Sequence, residues 1–60
     1  MKSAELMTLL KKHGWIAVRV RGSHYQFRHP DFAGVMTVPH SRHDIKPGTL
    51  HQILTHARLK

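Results

Sequence analysis

The sequence has no cysteine, few acids and few aromatics, and each shortage removes a class of chemistry. Without Cys anywhere in its 60 residues, the chain can build no disulfide framework, thiolate zinc site or thiol nucleophile. Carboxylates are confined to Glu5, Asp31 and Asp44, well separated along the chain. Such scattered acids suit neither the paired carboxylates of a glycosidase nor the acidic cluster of a two-metal nuclease. No apolar run approaches the ~18 residues of a membrane span, and the start Met1-Lys2-Ser3-Ala4-Glu5 has no signal-peptide core. The expectation is a soluble, cytoplasmic protein with no membrane partner.

Positive charge is what the sequence has in excess. Ten Lys and Arg stand against three acids, a formal charge of +7 with all seven histidines neutral. Such a surface favours polyanions or an acidic protein partner, nucleic acid before an anionic membrane. The length allows one domain over residues 1–60. A chain this small buries only about 60% of the surface exposed on unfolding, so its stability margin is thin.

Leu6, Leu9 and Leu10 recur at helical spacing after Ser3, a good N-cap, and Glu5, which suits the positive end of a helix dipole. Lys11, Lys12 and His13 suit the other end, where Gly14 stops the helix. From Trp15 the period becomes two: Ile16, Val18 and Val20 alternate with Ala17, Arg19 and Arg21, the pattern of a half-buried strand. Gly22-Ser23 reads as a two-residue hairpin turn, and a second strand follows from His24 to His29 with Tyr25 and Phe27 on one side. With that loop Arg21 faces His24, Val20 faces Tyr25, Arg19 faces Gln26 and Val18 faces Phe27. Apolar then meets apolar throughout, and a one-residue slip would invert the pattern. Pro30-Asp31 opens a loop reaching Gly34, and a short third strand covers Val35 to Pro39. A second helix begins between Asp44, as an N-cap, and Pro47, with Leu50, Ile53, Leu54 and Ala57 along one stripe.

This order predicts an α+β fold, α-β-β-β-α, in which both helices cover one face of a three-stranded antiparallel sheet. The opposite face stays open and carries Arg19, Arg21, His24, Gln26 and Arg28. His24, exposed by the tight turn and set beside arginines, is the candidate acid or base; Arg19, Arg21 and Arg28 are candidates for phosphate, and Ser23 for orienting the site. Lys46 and the backbone amides before Leu50 form a second phosphate candidate, for which a solvated helix end is the plainer alternative. A solvated sheet face is likewise the plain reading of the arginines.

RNA cleavage fits this inventory. A base takes the proton of the 2′-hydroxyl, cations stabilise the charged phosphorane, and an acid protonates the leaving 5′-oxygen. DNA lacks the 2′-hydroxyl, so the route is specific to RNA. No metal or other cofactor is expected. No two histidines lie four apart, His24 and His29 fall on opposite faces of a strand, and the spacing of His40 and His43 is unspecific. The two helices are separated by the whole sheet, which excludes a helix-turn-helix and weighs against direct DNA binding.

The series Gly14-Trp15, Arg19, Gly22-Ser23-His24, Phe27, His29-Pro30, Thr37-Val38-Pro39-His40, Lys46, Gly48-Thr49-Leu50 and Ile53-Leu54 resembles the HicA family. These are small mRNA interferase toxins of bacterial and archaeal toxin–antitoxin systems, and the resemblance covers nearly the whole chain. It implies a fold similar to double-stranded-RNA-binding domains and an endoribonuclease that cleaves mRNA and arrests translation, with His24 as the catalytic residue. It also implies a cognate HicB-type antitoxin that masks the active site, DNA being contacted only through that partner. Tyr25, Ser41 and Arg58 depart from the residues common in the family, which are His, Pro and Gly. The alternative function is a non-catalytic RNA-binding module of the same fold.

Overall fold

The computed structural model describes residues 1–40 and 44–59; Ser41, Arg42, His43 and Lys60, and with them the pairing of His40 with His43, lie outside the described residues. Helix α1 spans Ser3–Lys12, strand β1 Ile16–Arg21, β2 His24–His29, β3 Phe32–Pro39, and helix α2 Pro47–His56. The strands form one antiparallel sheet in the order β1-β2-β3, which makes β2 central. Phe27, in β2, is fully buried, with Met36 opposite it on β3 and Val38 opposite Tyr25. Leu6 and Leu10 from α1 and Ile53 and Ala57 from α2 complete this core, so both helices lie on the Phe27 face. The shortest dimension, 17 Å, leaves room for one sheet and one layer of helices. The architecture is the α+β arrangement of a double-stranded-RNA-binding domain. Among the described residues, no helix is long and apolar enough to cross a membrane.

Both helices start differently from the sequence expectation. Lys2, not Ser3, is the N-cap of α1. Ser3 is 1% exposed and donates its hydroxyl to the Pro39 carbonyl at 2.8 Å, tying α1 to the end of β3. A buried hydroxyl needs such an acceptor, and the cap is supplied instead by Glu5, whose carboxylate accepts the Lys2 N–H at 3.1 Å. Asp44 does not cap α2, because its backbone is bridged to Lys2. Lys46 holds that position and Pro47 follows as the first helical residue, where its missing N–H removes nothing.

The two helices end alike. At α1, Trp15 N–H donates to the Leu10 carbonyl at 3.0 Å and Gly14 N–H to that of Lys11 at 3.1 Å. At α2, Leu59 donates to Leu54 at 2.9 Å and Arg58 to Thr55 at 3.1 Å. Both are Schellman motifs, which require a left-handed residue after the cap. Gly14 fills that place at φ 93, but in α2 it is taken by Arg58 at φ 63. Trp15 is 2% exposed and part of the core.

The β1–β2 hairpin follows the expected register for half its length. Arg21 pairs with His24, Val20 with Tyr25 and Arg19 with Gln26, around a turn whose first residue, Gly22, has φ 60. Beyond Arg19 the register shifts, so that Ala17 faces Phe27, Ile16 faces Arg28, and Val18 is a bulge. The expected Val18–Phe27 pair is therefore absent. Leu10 and Trp15 close the core on this side with Phe27, and β1 is exposed along its whole length, Ala17 and Val20 included. Ile16 and Val18, expected in the core, are 58% and 51% exposed.

Strand β3 begins at Phe32 rather than Val35. His29 pairs with Phe32 across a tight Pro30-Asp31 turn, and the next pair, Phe27 with Met36, leaves Ala33, Gly34 and Val35 opposite Arg28 alone. Gly34, at φ 89, lets the strand absorb these extra residues as an irregularity within the sheet.

Candidate functional site

The sheet face turned away from the helices presents side chains in rows. Arg21, His24 and Pro39 form the row next to the Gly22-Ser23 turn; Arg19, Gln26 and Thr37 form the second; Ile16 and Arg28 form the third. Alternation along each strand puts these on one side because Phe27, Met36 and Val38, which interleave with them, are buried on the other. His24 opens the central strand and is exposed, and among the described residues its ring has no hydrogen bond or ion pair. The Arg21 and Arg19 side chains are exposed and likewise have no acidic partner among the described residues. With no carboxylate to neutralise them, these guanidinium groups keep their charge available to an incoming anion.

Ser23 is exposed in the turn, and its carbonyl accepts the His40 N–H at 2.6 Å, which fastens the turn to the end of β3. The His40 ring lies against Tyr25, centroids 5.5 Å apart, on the helical side of the sheet. Lys46 is exposed at the start of α2, in the layer behind the sheet, and the structure does not bring it into the rows around His24. Arg28 belongs to the open face but sits at its far end, four residues along β2 from His24.

His29 has a different task. Its Nε2–H donates to the His13 carbonyl at 3.0 Å while Nδ1 accepts the Asp31 N–H at 3.0 Å. Its ring packs edge-on to Trp15 at 5.1 Å and against Phe32 at 4.6 Å. This histidine joins the loop after α1 to the β2–β3 turn, and both ring nitrogens are occupied in doing so. Among the described residues, no three His, Asp or Glu side chains gather as a metal-binding group.

The open face also holds residues that the sequence did not suggest for it. Ile16 and Val18 read as core because strict alternation placed them on the same face as Val20, with Val18 opposite Phe27. No residue type in β1 signals the bulge that turns them outward. Thr37, flanked by the apolar Met36 and Val38, is found only from the β3 register.

A small α+β protein with helices on one sheet face and an uncovered basic face on the other is the class this geometry defines. Residues 3–59 match the model of a family described as the HicA toxin of bacterial toxin–antitoxin systems. That match takes in nearly the entire chain, and the chain belongs to the HicA toxin family. It is therefore a toxin of a toxin–antitoxin system, with a cognate antitoxin as its partner. No curated protein matches it.

Proposed function

We propose that this toxin is a metal-independent endoribonuclease that cleaves mRNA with His24 as the catalytic histidine. One observation carries the reading: His24 is exposed, without a side-chain partner among the described residues, and paired across the hairpin with Arg21 in a face that also carries Arg19. An imidazole is the side chain suited to proton transfer near neutral pH, and an adjacent guanidinium suits the negative charge that grows on phosphorus. His24 takes the proton from a 2′-hydroxyl, the 2′-oxygen attacks phosphorus, and the bond to the 5′-oxygen breaks as that oxygen takes a proton from water, His24 returning its own proton to solvent. The products are a 2′,3′-cyclic phosphate and a 5′-hydroxyl. Arg21 and Arg19 hold the phosphate, Arg28 a phosphate further along, and Ser23 orients the turn that carries His24. Lys46 acts as a separate contact to the RNA backbone from the helical layer.

The chemistry is tested by the ends it leaves. An unstructured RNA should yield a cyclic phosphate, and a 2′-deoxy substitution at the cut nucleotide should abolish cleavage there. Cleavage that persists at the deoxy position would rule out attack by the 2′-hydroxyl.

A non-catalytic RNA-binding module is the second reading. The observation in its favour is the composition of His24's row, where the flanking Arg21 and Pro39 are not proton-transfer groups near neutral pH.

The antitoxin, on this reading, is acidic where it meets the toxin and covers the open face, so that RNA and antitoxin exclude one another. A +7 chain meets such a partner rapidly through electrostatic steering, and any DNA contact is made by the antitoxin. Chemical modification of His24 should slow in the complex; unchanged reactivity would show that the antitoxin sits elsewhere.

A further inference from the structure

The bulge at Val18 creates a feature that His24, Arg19 and Arg21 do not use and that shares only Arg28 with the proposed phosphate contacts. Ile16 and Val18, more than half exposed, line a surface cleft of about 390 Å³ together with Arg28, His29, Pro30 and Phe32. It lies where β1 begins and β2 ends, at the opposite end of the sheet from the Gly22-Ser23 turn. An unbulged register would have put Val18 against Phe27; instead the fold leaves two β-branched apolar side chains in water beside a guanidinium. Edge-strand bulges that re-aim side chains in this way are frequent next to functional sites, and exposed apolar groups gathered in a cleft mark binding sites more often than scattered ones do.

We propose that this cleft is a base-binding subsite, taking one nucleobase of a single-stranded RNA whose phosphate meets His24; this rests on the open face being the RNA site. Its chemistry suits a base: aliphatic walls from Ile16 and Val18, ring carbon from Phe32 and from His29, whose nitrogens are already bonded, and the Arg28 guanidinium. Unpaired bases are held on such apolar and guanidinium surfaces. The position is also right. Arg28 lies four residues from His24 along β2, roughly 13 Å at the usual strand rise, which single-stranded RNA covers in a few nucleotides. A strand running along β2 thus passes Arg21 and His24, then Arg19 and Gln26, and delivers a base to the cleft.

The test measures binding of the wild-type chain to 2′-O-methyl RNA, which lacks the attacking hydroxyl, with the oligonucleotide lengthened one nucleotide at a time. Affinity should step up about five- to tenfold when one particular nucleotide is added, the size of one stacked base. An abasic residue at that position should remove the step, as should the double substitution Ile16→Ser, Val18→Ser. Val20→Ser should keep it, since Val20 is equally exposed on β1 but pairs with Tyr25 on the helical side. A smooth rise with length, or a step that survives the abasic residue or the double substitution, would overturn the subsite. So would a double variant that keeps the step but has weakened antitoxin affinity, which would make the cleft a protein anchor. Because binding is read without cleavage, a chain that shows the step but cuts no RNA refutes only the nuclease reading. A chain that cuts RNA without the step refutes only the subsite.

Discussion

Arg21 and His24 face each other across the last pair of β1 and β2, and the Gly22-Ser23 turn that joins them holds both at one end of the open sheet face. A cation and an imidazole fixed opposite each other by backbone pairing need no side-chain contact to stay together. The relationship survives any change that leaves the hairpin intact, so their roles can be separated by substitution.

Charge on this face should set affinity for RNA. Replacing Arg19 and Arg21 with Gln should weaken binding at low salt and flatten its salt dependence by about 0.7 in logarithmic slope for each phosphate no longer neutralised. Titration of a labelled single-stranded RNA over a range of salt concentrations measures this. An unchanged slope would place the phosphates on other residues.

Gly14 should tolerate no side chain. Its φ of 93 is strained for any L-residue, and a Cβ there would lie 2.8 Å from His29 Nε2, the atom that donates to the His13 carbonyl. Gly14→Ala should cost about 1–3 kcal/mol from the backbone alone, and more from disturbing His29. Thermal or urea unfolding reads the loss; a variant as stable as wild type would mean that the loop relaxes freely.

Arg58 occupies the equivalent position after α2 at φ 63, with its guanidinium 5.3 Å from the centre of the Phe32 ring. The strain and the cation–π attraction oppose each other. Arg58→Ala removes the attraction and keeps the strain; Arg58→Gly removes both. The Gly variant should exceed the Ala variant by about 1 kcal/mol, with wild type between them. Equal midpoints for the two variants in urea would contradict a left-handed residue at this site.

The bulge takes Val18 out of the core, and stability should reflect it. Val18→Ser should change stability by no more than about 0.5 kcal/mol, as an exposed substitution does. Phe27→Ala, at a fully buried position, should cost about 3–5 kcal/mol and unfold a domain this small. Urea unfolding compares the two; a large loss at Val18 would show that it packs against Phe27 after all.

The element order, the hairpin turn and its first pairs were legible in the sequence because they rest on local signals: leucine spacing in α1, a Gly-led turn, and alternation in β2. Alternation misled in β1, where the register shift at Val18 reverses the facing of Ile16 and Val18 without altering residue type. The helix starts misled for a related reason. Ser3 and Asp44 are good caps locally, but each is engaged elsewhere, Ser3 by Pro39 on β3 and Asp44 by Lys2. For the site, His24 and Arg21 were legible through the turn register, whereas the position of Lys46 behind the sheet depends on tertiary packing that no spacing encodes.

Chemistry performed by His24 without a metal has a plain signature. The most direct measurement incubates wild-type protein and His24→Ala with an unstructured RNA, each with and without EDTA, while circular dichroism confirms that both are folded. Cleavage by wild type should persist in EDTA and vanish in His24→Ala, with RNA affinity retained. Equal cleavage by the variant, or tight binding by both proteins with cleavage by neither, would contradict a catalytic His24, and cleavage lost in EDTA would contradict a metal-independent one.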